Sequence, residues 1–291
     1  MNQVLIEGEP MDSPFLPSAN ADGLPVVPMT DEQKYVFDLK GWLSLPGLFC
    51  EDELGPIREH QMKFLTDRES LPPEERDNHG GPSQVLLDHP TVVGVLNEIL
   101  SHQALATEDC YGFRFDHTYT SHRQAGHDNF RPHGGGAYFA FCGNSHIYQM
   151  LPGKVHSGLT RVVWELNEVG QGDGGTMFLS GSHKSAFPRP EEICGRESSL
   201  WESYSCPAGS AVIFTEALCH TGTRWTNDKR DRLSLFTCYN TVNAKWGKGC
   251  PPAEVIAALP PKRQTLFRGA WHGMTEVPKI NKYYEEDNRA V

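Results

Sequence analysis

Two of the thirteen histidines in this chain stand in contexts that could hold a metal ion. His133 opens a glycine run, Pro132-His133-Gly134-Gly135-Gly136, and His220 closes the stretch Phe214-Thr215-Glu216-Ala217-Leu218-Cys219-His220. Arg232 follows His220 by twelve residues. Neutral imidazoles are ready ligands for iron, and a guanidinium fork suits a carboxylate held in a partly dry pocket. Two histidines from distant strands and an arginine are what a mononuclear iron centre with an organic acid beside it needs. The carboxylate that usually completes such a centre is missing next to His133.

These residues must be positioned by strands. Short apolar or alternating runs at residues 111–116, 137–141, 159–166, 176–179, 210–214 and 232–239 are punctuated by Gly, Pro, Asn and Asp, which is the pattern of strands joined by turns. Six to eight strands in one block predict a sandwich or jelly roll rather than alternating βαβ units. Helices come before it. Thr30-Asp31-Glu32-Gln33 has the form of a capping box, Glu51 starts a helix to about Thr66, and Pro90 opens one whose Val92, Val93, Val95, Leu96, Ile99 and Leu100 form a buried face. Residues 253–259 and 261–267 predict two more short helices over the strands. The proline-rich residues 1–29 read as an extended arm, followed by one domain over 30–291: a helical buttress at 30–107, a strand core at 108–243 and a closing segment at 244–291.

Composition narrows the partners. A net charge of −11 argues against capture of nucleic acid or an anionic membrane surface, so a small molecule is the expected partner. No run approaches the roughly 18 apolar residues of a membrane span, and the N-terminus lacks a secretory pattern, which predicts a cytoplasmic protein, monomer or homodimer. Eight cysteines include no C-x-x-C pair and are expected as free thiols.

Three further stretches carry a resemblance. Gly41-Trp42-Leu43-Ser44-Leu45-Pro46-Gly47-Leu48-Phe49, then Gly174-Gly175-Thr176-Met177-Phe178-Leu179-Ser180-Gly181-Ser182-His183-Lys184, and finally Pro207-Ala208-Gly209-Ser210-Ala211-Val212-Ile213-Phe214 with His220 and Arg232 occur in that order. The sequence resembles the phytanoyl-CoA dioxygenase family of iron(II)/2-oxoglutarate oxygenases from about Asp31 to Asn243. The resemblance implies a mainly β fold with flanking α-helices, a double-stranded β-helix or jelly roll of the cupin type. It also implies Fe(II) held by His133 and His220, 2-oxoglutarate anchored by Arg232 with Arg230 as the alternative, and O2 as co-substrate. The loop 119–132 would line the substrate entrance.

In that family the carboxylate ligand follows the first histidine in a His-x-Asp pair, because residues i and i+2 of a strand share a face. Here that position falls on Gly135, and none of the thirteen histidines has Asp or Glu two residues later. Four consequences are open. A water could complete the centre, chloride could fill the vacancy and turn an oxygenase into a halogenase, or Glu216 could reach the metal, being four residues before His220 and on the same face of a regular strand. Finally, the site could be a binding pocket without turnover. The leading expectation is hydroxylation of a C–H bond in a small organic metabolite. Elsewhere, His79 is expected at the surface, His183 in a turn, Trp164 in the core and Glu165 facing outward.

Overall fold

The structure, a computed structural model, describes residues 16–135 and 145–270. Helix α1 (Asp31–Lys40) begins with the expected capping box: the Gln33 amide donates to Thr30 Oγ1 and the Thr30 amide donates to Gln33 Oε1. It stops at Gly41, where φ is 82° and an added Cβ would lie 2.5 Å from His183 Nδ1. The chain then runs through β1 (Trp42–Leu45), α2 (Glu51–Thr66), α3 (Pro90–Ile99) and β2 (Phe113–Arg123). A hairpin of β3 (Tyr148–Leu151) and β4 (Lys154–Ser157) follows, then β5 (Thr160–Glu165), β6 (Gly175–Leu179), β7 (Trp201–Ser203), β8 (Ser210–Thr215), β9 (His220–Thr223) and β10 (Arg232–Thr241). Two short helices, α4 (Ala253–Ala257) and α5 (Pro261–Gln264), follow, and a 3-10 turn at Thr265–Phe267 comes after them.

Three layers result. The central sheet has the order β1-β8-β5-β10-β2 with every neighbour antiparallel. On one face, Val162, Trp164, Ile213, Leu233, Leu235 and Tyr239 bury against the helices through residues such as Phe37, Ile57 and Leu96. On the other, Val163, Val212, Phe214 and Phe236 pack against Phe178 of the smaller sheet β7-β6-β9 and Tyr204 just after β7. A sheet covered on both faces explains the near-continuous apolar runs, because neither face needs to be polar.

The architecture corrects the expected fold class. Among the described residues no sheet closes into a barrel: the central sheet is open, with β1 and β2 as its edges, and the three-stranded and two-stranded sheets are separate. The fold is mixed α/β with several antiparallel sheets, not a closed double-stranded β-helix or jelly roll. Part of the reason is β1, an N-terminal strand that pairs with β8 from Trp42↔Phe214 to Leu45↔Ala211 and so takes an edge that a closed arrangement would need. The strand expected at 137–141 lies outside the described residues. Strands β3, β4, β7 and β9 are too short to announce themselves by alternation.

Candidate metal centre

His133 and His220 meet through their backbones. The His133 amide donates to the His220 carbonyl at 3.1 Å and the His220 amide returns the bond at 2.9 Å, which fixes the ring centroids 4.2 Å apart. Each ring is oriented by a carbonyl: His133 Nδ1 lies 2.9 Å from the Arg131 oxygen and His220 Nδ1 lies 2.8 Å from the Leu218 oxygen. A carbonyl only accepts, so both Nδ1 atoms carry a proton, and in the neutral ring that leaves Nε2 as the atom with a lone pair for a metal.

The third group is Glu216. Its Oε2 lies 3.6 Å from His220 Nε2, and ligand atoms of His133, Glu216 and His220 all lie within 4.8 Å of one another. Glu216 occupies the turn between β8 and β9, not a regular strand, so it reaches His220 because the chain doubles back. Its amide donates to the Leu159 carbonyl at 2.8 Å, and its Oε1 is ion-paired with Arg161 of β5. Burial would raise the Glu216 pKa, but Arg161 and then His220 outweigh it and hold the carboxyl down at about 2. Burial also lowers the His220 pKa, to about 4, against the pull of Glu216. The centre is therefore an ionised carboxylate beside a neutral imidazole, the protonation states that metal ligation requires.

This cluster overturns the vacancy expected at Gly135. The His-x-Asp rule assumes a strand, whereas Gly134 and Gly135 have φ of 83° and 100°. Gly134 is needed for close approach, since an added Cβ would sit 2.4 Å from the Leu218 carbonyl oxygen. A Cβ on Gly135 would meet Cys219 Cβ at 3.8 Å and the Ser182 carbonyl at 3.9 Å. Gly135 borders a cavity of about 790 Å³ whose walls include Ser182, Arg189 and Leu200 but none of His133, Glu216 or His220. The carboxylate of the centre is thus retained, supplied from a different place in the chain, and the vacancy that a chloride ligand would fill is absent.

Arg232 is fully buried at the start of β10. It is ion-paired with Glu165, with Nε 3.1 Å from Oε2, and Nη2 donates to the Tyr204 hydroxyl at 3.1 Å. Its Nη1 is buried without a partner among the described residues. Burial works against its charge, but Glu165 and Tyr204 outweigh this and the pKa lies above the ordinary value. Phe236 stands between Arg232 and the partly buried Arg161, 5.5 Å from the guanidinium carbon of the first and 5.9 Å from that of the second. Arg230 precedes the strand and pairs with Glu168 and Asp173 at the surface, away from this face. Tyr119 is not in a loop either; it belongs to β2 and stacks on Phe236 at 4.7 Å.

Over residues 56–233 the sequence matches the family model described as phytanoyl-CoA dioxygenase (PhyH). The chain belongs to that family. Family membership and the centre together make it a non-haem Fe(II)/2-oxoglutarate-dependent enzyme of the PhyH superfamily. A search of curated proteins finds no match. Among solved structures, HygX from Streptomyces hygroscopicus with nickel and 2-oxoglutarate is similar in fold, with TM-score 0.60 and 19% identity over 78% of this chain and 93% of HygX. The HygX complex that also holds hygromycin B gives TM-score 0.59 and 21% identity over 75% and 89% of the two chains. SnoK, a carbocyclase from nogalamycin biosynthesis, gives 0.53 and 14% over 89% and 97%.

Among the remaining expectations, His79 and Glu165 fell elsewhere, whereas His183 and Trp164 lie where expected. His79 is buried, with Nε2 2.9 Å from Thr237 Oγ1. His183 sits in its turn with Nε2 3.1 Å from the Asp38 carbonyl, and Trp164 is core. Glu165 faces inward. No helix of the described residues is long and apolar enough to cross a membrane.

Proposed function

We propose that this family member hydroxylates a C–H bond of a small organic molecule, using iron(II) at His133, Glu216 and His220 and 2-oxoglutarate as co-substrate. The observation that carries this reading is the convergence of three ligand atoms within 4.8 Å with both imidazole Nε2 lone pairs free. Two imidazoles and a carboxylate suit Fe(II) and leave adjacent positions for a 2-oxoacid and O2. Bound iron would supply the oxidising chemistry that no side chain can perform.

The chain's own residues do the rest. Arg131 and Leu218 hold the tautomers through their carbonyls, and Arg161 keeps Glu216 ionised and turned to one side. Arg232 presents its unpartnered Nη1 to the far carboxylate of 2-oxoglutarate. Phe236 and Val163 supply an apolar wall that limits water. The net change converts 2-oxoglutarate and O2 to succinate and CO2 while the substrate gains a hydroxyl. The HygX complex with nickel, 2-oxoglutarate and hygromycin B supports a metal, an oxoacid and a small-molecule substrate sharing such a fold. A net charge of −11 does not favour an acyl-CoA substrate, whose phosphates are anionic.

The test is anaerobic reconstitution with iron(II), addition of 2-oxoglutarate and then O2, and measurement of succinate across a panel of small substrates. Substrate-dependent succinate with a hydroxylated product is expected. A protein that binds neither iron nor 2-oxoglutarate ends this reading.

A further inference from the structure

One guanidinium would be enough to anchor a carboxylate, yet the fold buries two side by side where β2 meets β10. Arg123, the last residue of β2, is the direct cross-strand partner of Arg232, the first of β10. Both are buried, at 6% and 0% exposure. Like charges directly opposite on a sheet repel, and desolvation adds to the cost. Burial and then Arg232 both lower the Arg123 pKa. Glu165 offsets one of the two charges through its ion pair with Arg232. The group of Arg123, Arg232 and Glu165 is left with one positive charge.

Unused hydrogen-bonding capacity collects at the same place. Arg123 Nε donates to Ser121 Oγ at 3.1 Å, but Arg123 Nη1, Arg232 Nη1 and Ser234 Oγ are buried with no partner among the described residues. Ser234 is two residues after Arg232 on β10, hence on the same face, and lies opposite Ser121. Buried donors without partners are costly, so an anion that satisfies them is strongly favoured there. Gly222 supplies the link to the metal centre. It is two residues after His220 on β9, and a Cβ added to it would lie 2.9 Å from Arg123 Nη1. The Arg123 guanidinium therefore occupies space on the His220 side of β9 that any larger residue at position 222 would contest.

We propose that Arg123 and Arg232 form a paired-guanidinium seat for one carboxylate, the distal carboxylate of a dicarboxylic 2-oxoacid, and that Gly222 is the residue that makes room for Arg123. The inference rests on the 2-oxoglutarate reading above. One incoming carboxylate brings the local charge to zero and offers acceptors to all three unpartnered groups. Arg123 is thus a specificity-determining residue: it makes the second carboxylate of the co-substrate count.

The experiment is calorimetric titration of 2-oxoglutarate and of 2-oxobutyrate, which lacks the distal carboxylate, into the nickel-loaded full chain, with thermal midpoints recorded for the unliganded proteins. For Arg123→Met, the Kd for 2-oxoglutarate should rise about tenfold to a hundredfold, with 2-oxobutyrate unchanged and the unliganded midpoint no lower than wild type. Arg123→Lys should fall between. Wild-type affinity in Arg123→Met, or equal loss of both oxoacids, overturns the proposal. Should Arg123→Met not fold, Gly222→Ala decides: it retains both arginines but displaces one, and unchanged 2-oxoglutarate affinity overturns the proposal. A wild type that takes up no 2-oxoglutarate overturns the underlying reading as well, whereas wild-type binding unmoved by these variants overturns this inference alone.

Discussion

Two largely buried arginine–glutamate pairs lie on the same face of the central sheet, and they are finished in opposite ways. In Arg161–Glu216 the guanidinium engages one carboxylate oxygen, and the other oxygen faces His220 at 3.6 Å. In Arg232–Glu165 both carboxylate oxygens are taken, by Arg232 and by the Tyr204 hydroxyl at 2.5 Å, while Arg232 Nη1 is left over. Among the described residues Arg161 has no such buried, unpartnered nitrogen. The spare valence is an acceptor in the first pair and a donor in the second. On the proposed function, the first pair would serve a cation and the second an anion.

Exchanging the two acids is the most severe way to test that difference. Glu216→Gln should lower metal affinity by at least the roughly hundredfold that loss of a supporting partner can cost, and should leave the largely buried Arg161 without its counter-charge, at up to about 3 kcal/mol of stability. Glu165→Gln should cost stability on the same order, by stranding Arg232, yet keep metal affinity within about twofold of wild type because Glu165 is not among the converging ligand atoms. Metal titration with a spectroscopically active ion such as Co(II), alongside urea unfolding, measures both. Equal loss of metal affinity in the two variants would erase the distinction between the pairs.

The two pairs were unequally legible in the sequence. His133, His220 and Arg232 stood out by residue type, setting and motif, and Glu216 was singled out for a geometric reason that proved wrong. It reaches His220 across a turn, not along a strand. Glu165 and Arg123 gave no signal. Glu165 follows Trp164 in an apolar run, and alternation on a one-sided sheet would send it to solvent; here both faces are covered, so the side opposite Trp164 is a second interior. Arg123 ends a strand whose pairing with β10 cannot be read from local pattern. The open sheet was illegible for the same reason, since which strands become edges depends on register between distant segments, while the capping box at Thr30 and helix α3 depend only on neighbours and were read directly.

Acid should unpick the cation-side pair. The His220 pKa falls from 6.5 unfolded to about 4 folded, so the unfolded chain takes up a proton first and stability declines as pH drops from about 6.5 towards 4. The Glu216 pKa falls from 4.5 to about 2, so its contribution is complete above 4.5 and is lost as pH falls through the folded value. Denaturant midpoints of the metal-free protein should therefore fall with pH across both windows. In Glu216→Gln the decline below pH 4.5 should be shallower; an unchanged slope would mean that Glu216 is not held ionised by Arg161.

The smallest effect expected concerns the glycine next to His133. If the carboxylate of the centre belonged at position 135, Gly135→Asp would restore a His-x-Asp pair and tighten metal binding. The geometry predicts otherwise. A side chain at 135 projects towards Cys219 and the Ser182 carbonyl, on the wall of the large cavity, and Glu216 already stands in the cluster. The φ of 100° is also one that side chains other than hydrogen adopt at a cost, so the variant should lose about 1–3 kcal/mol of stability with metal affinity no better than wild type. Gly135→Ala provides the control, because it carries the same backbone strain without the carboxylate. Equal metal affinities in the two variants would fix Glu216 as the carboxylate of the centre, whereas tighter binding by Gly135→Asp than by Gly135→Ala would return that role to position 135 and leave Glu216 as the counter-ion of Arg161.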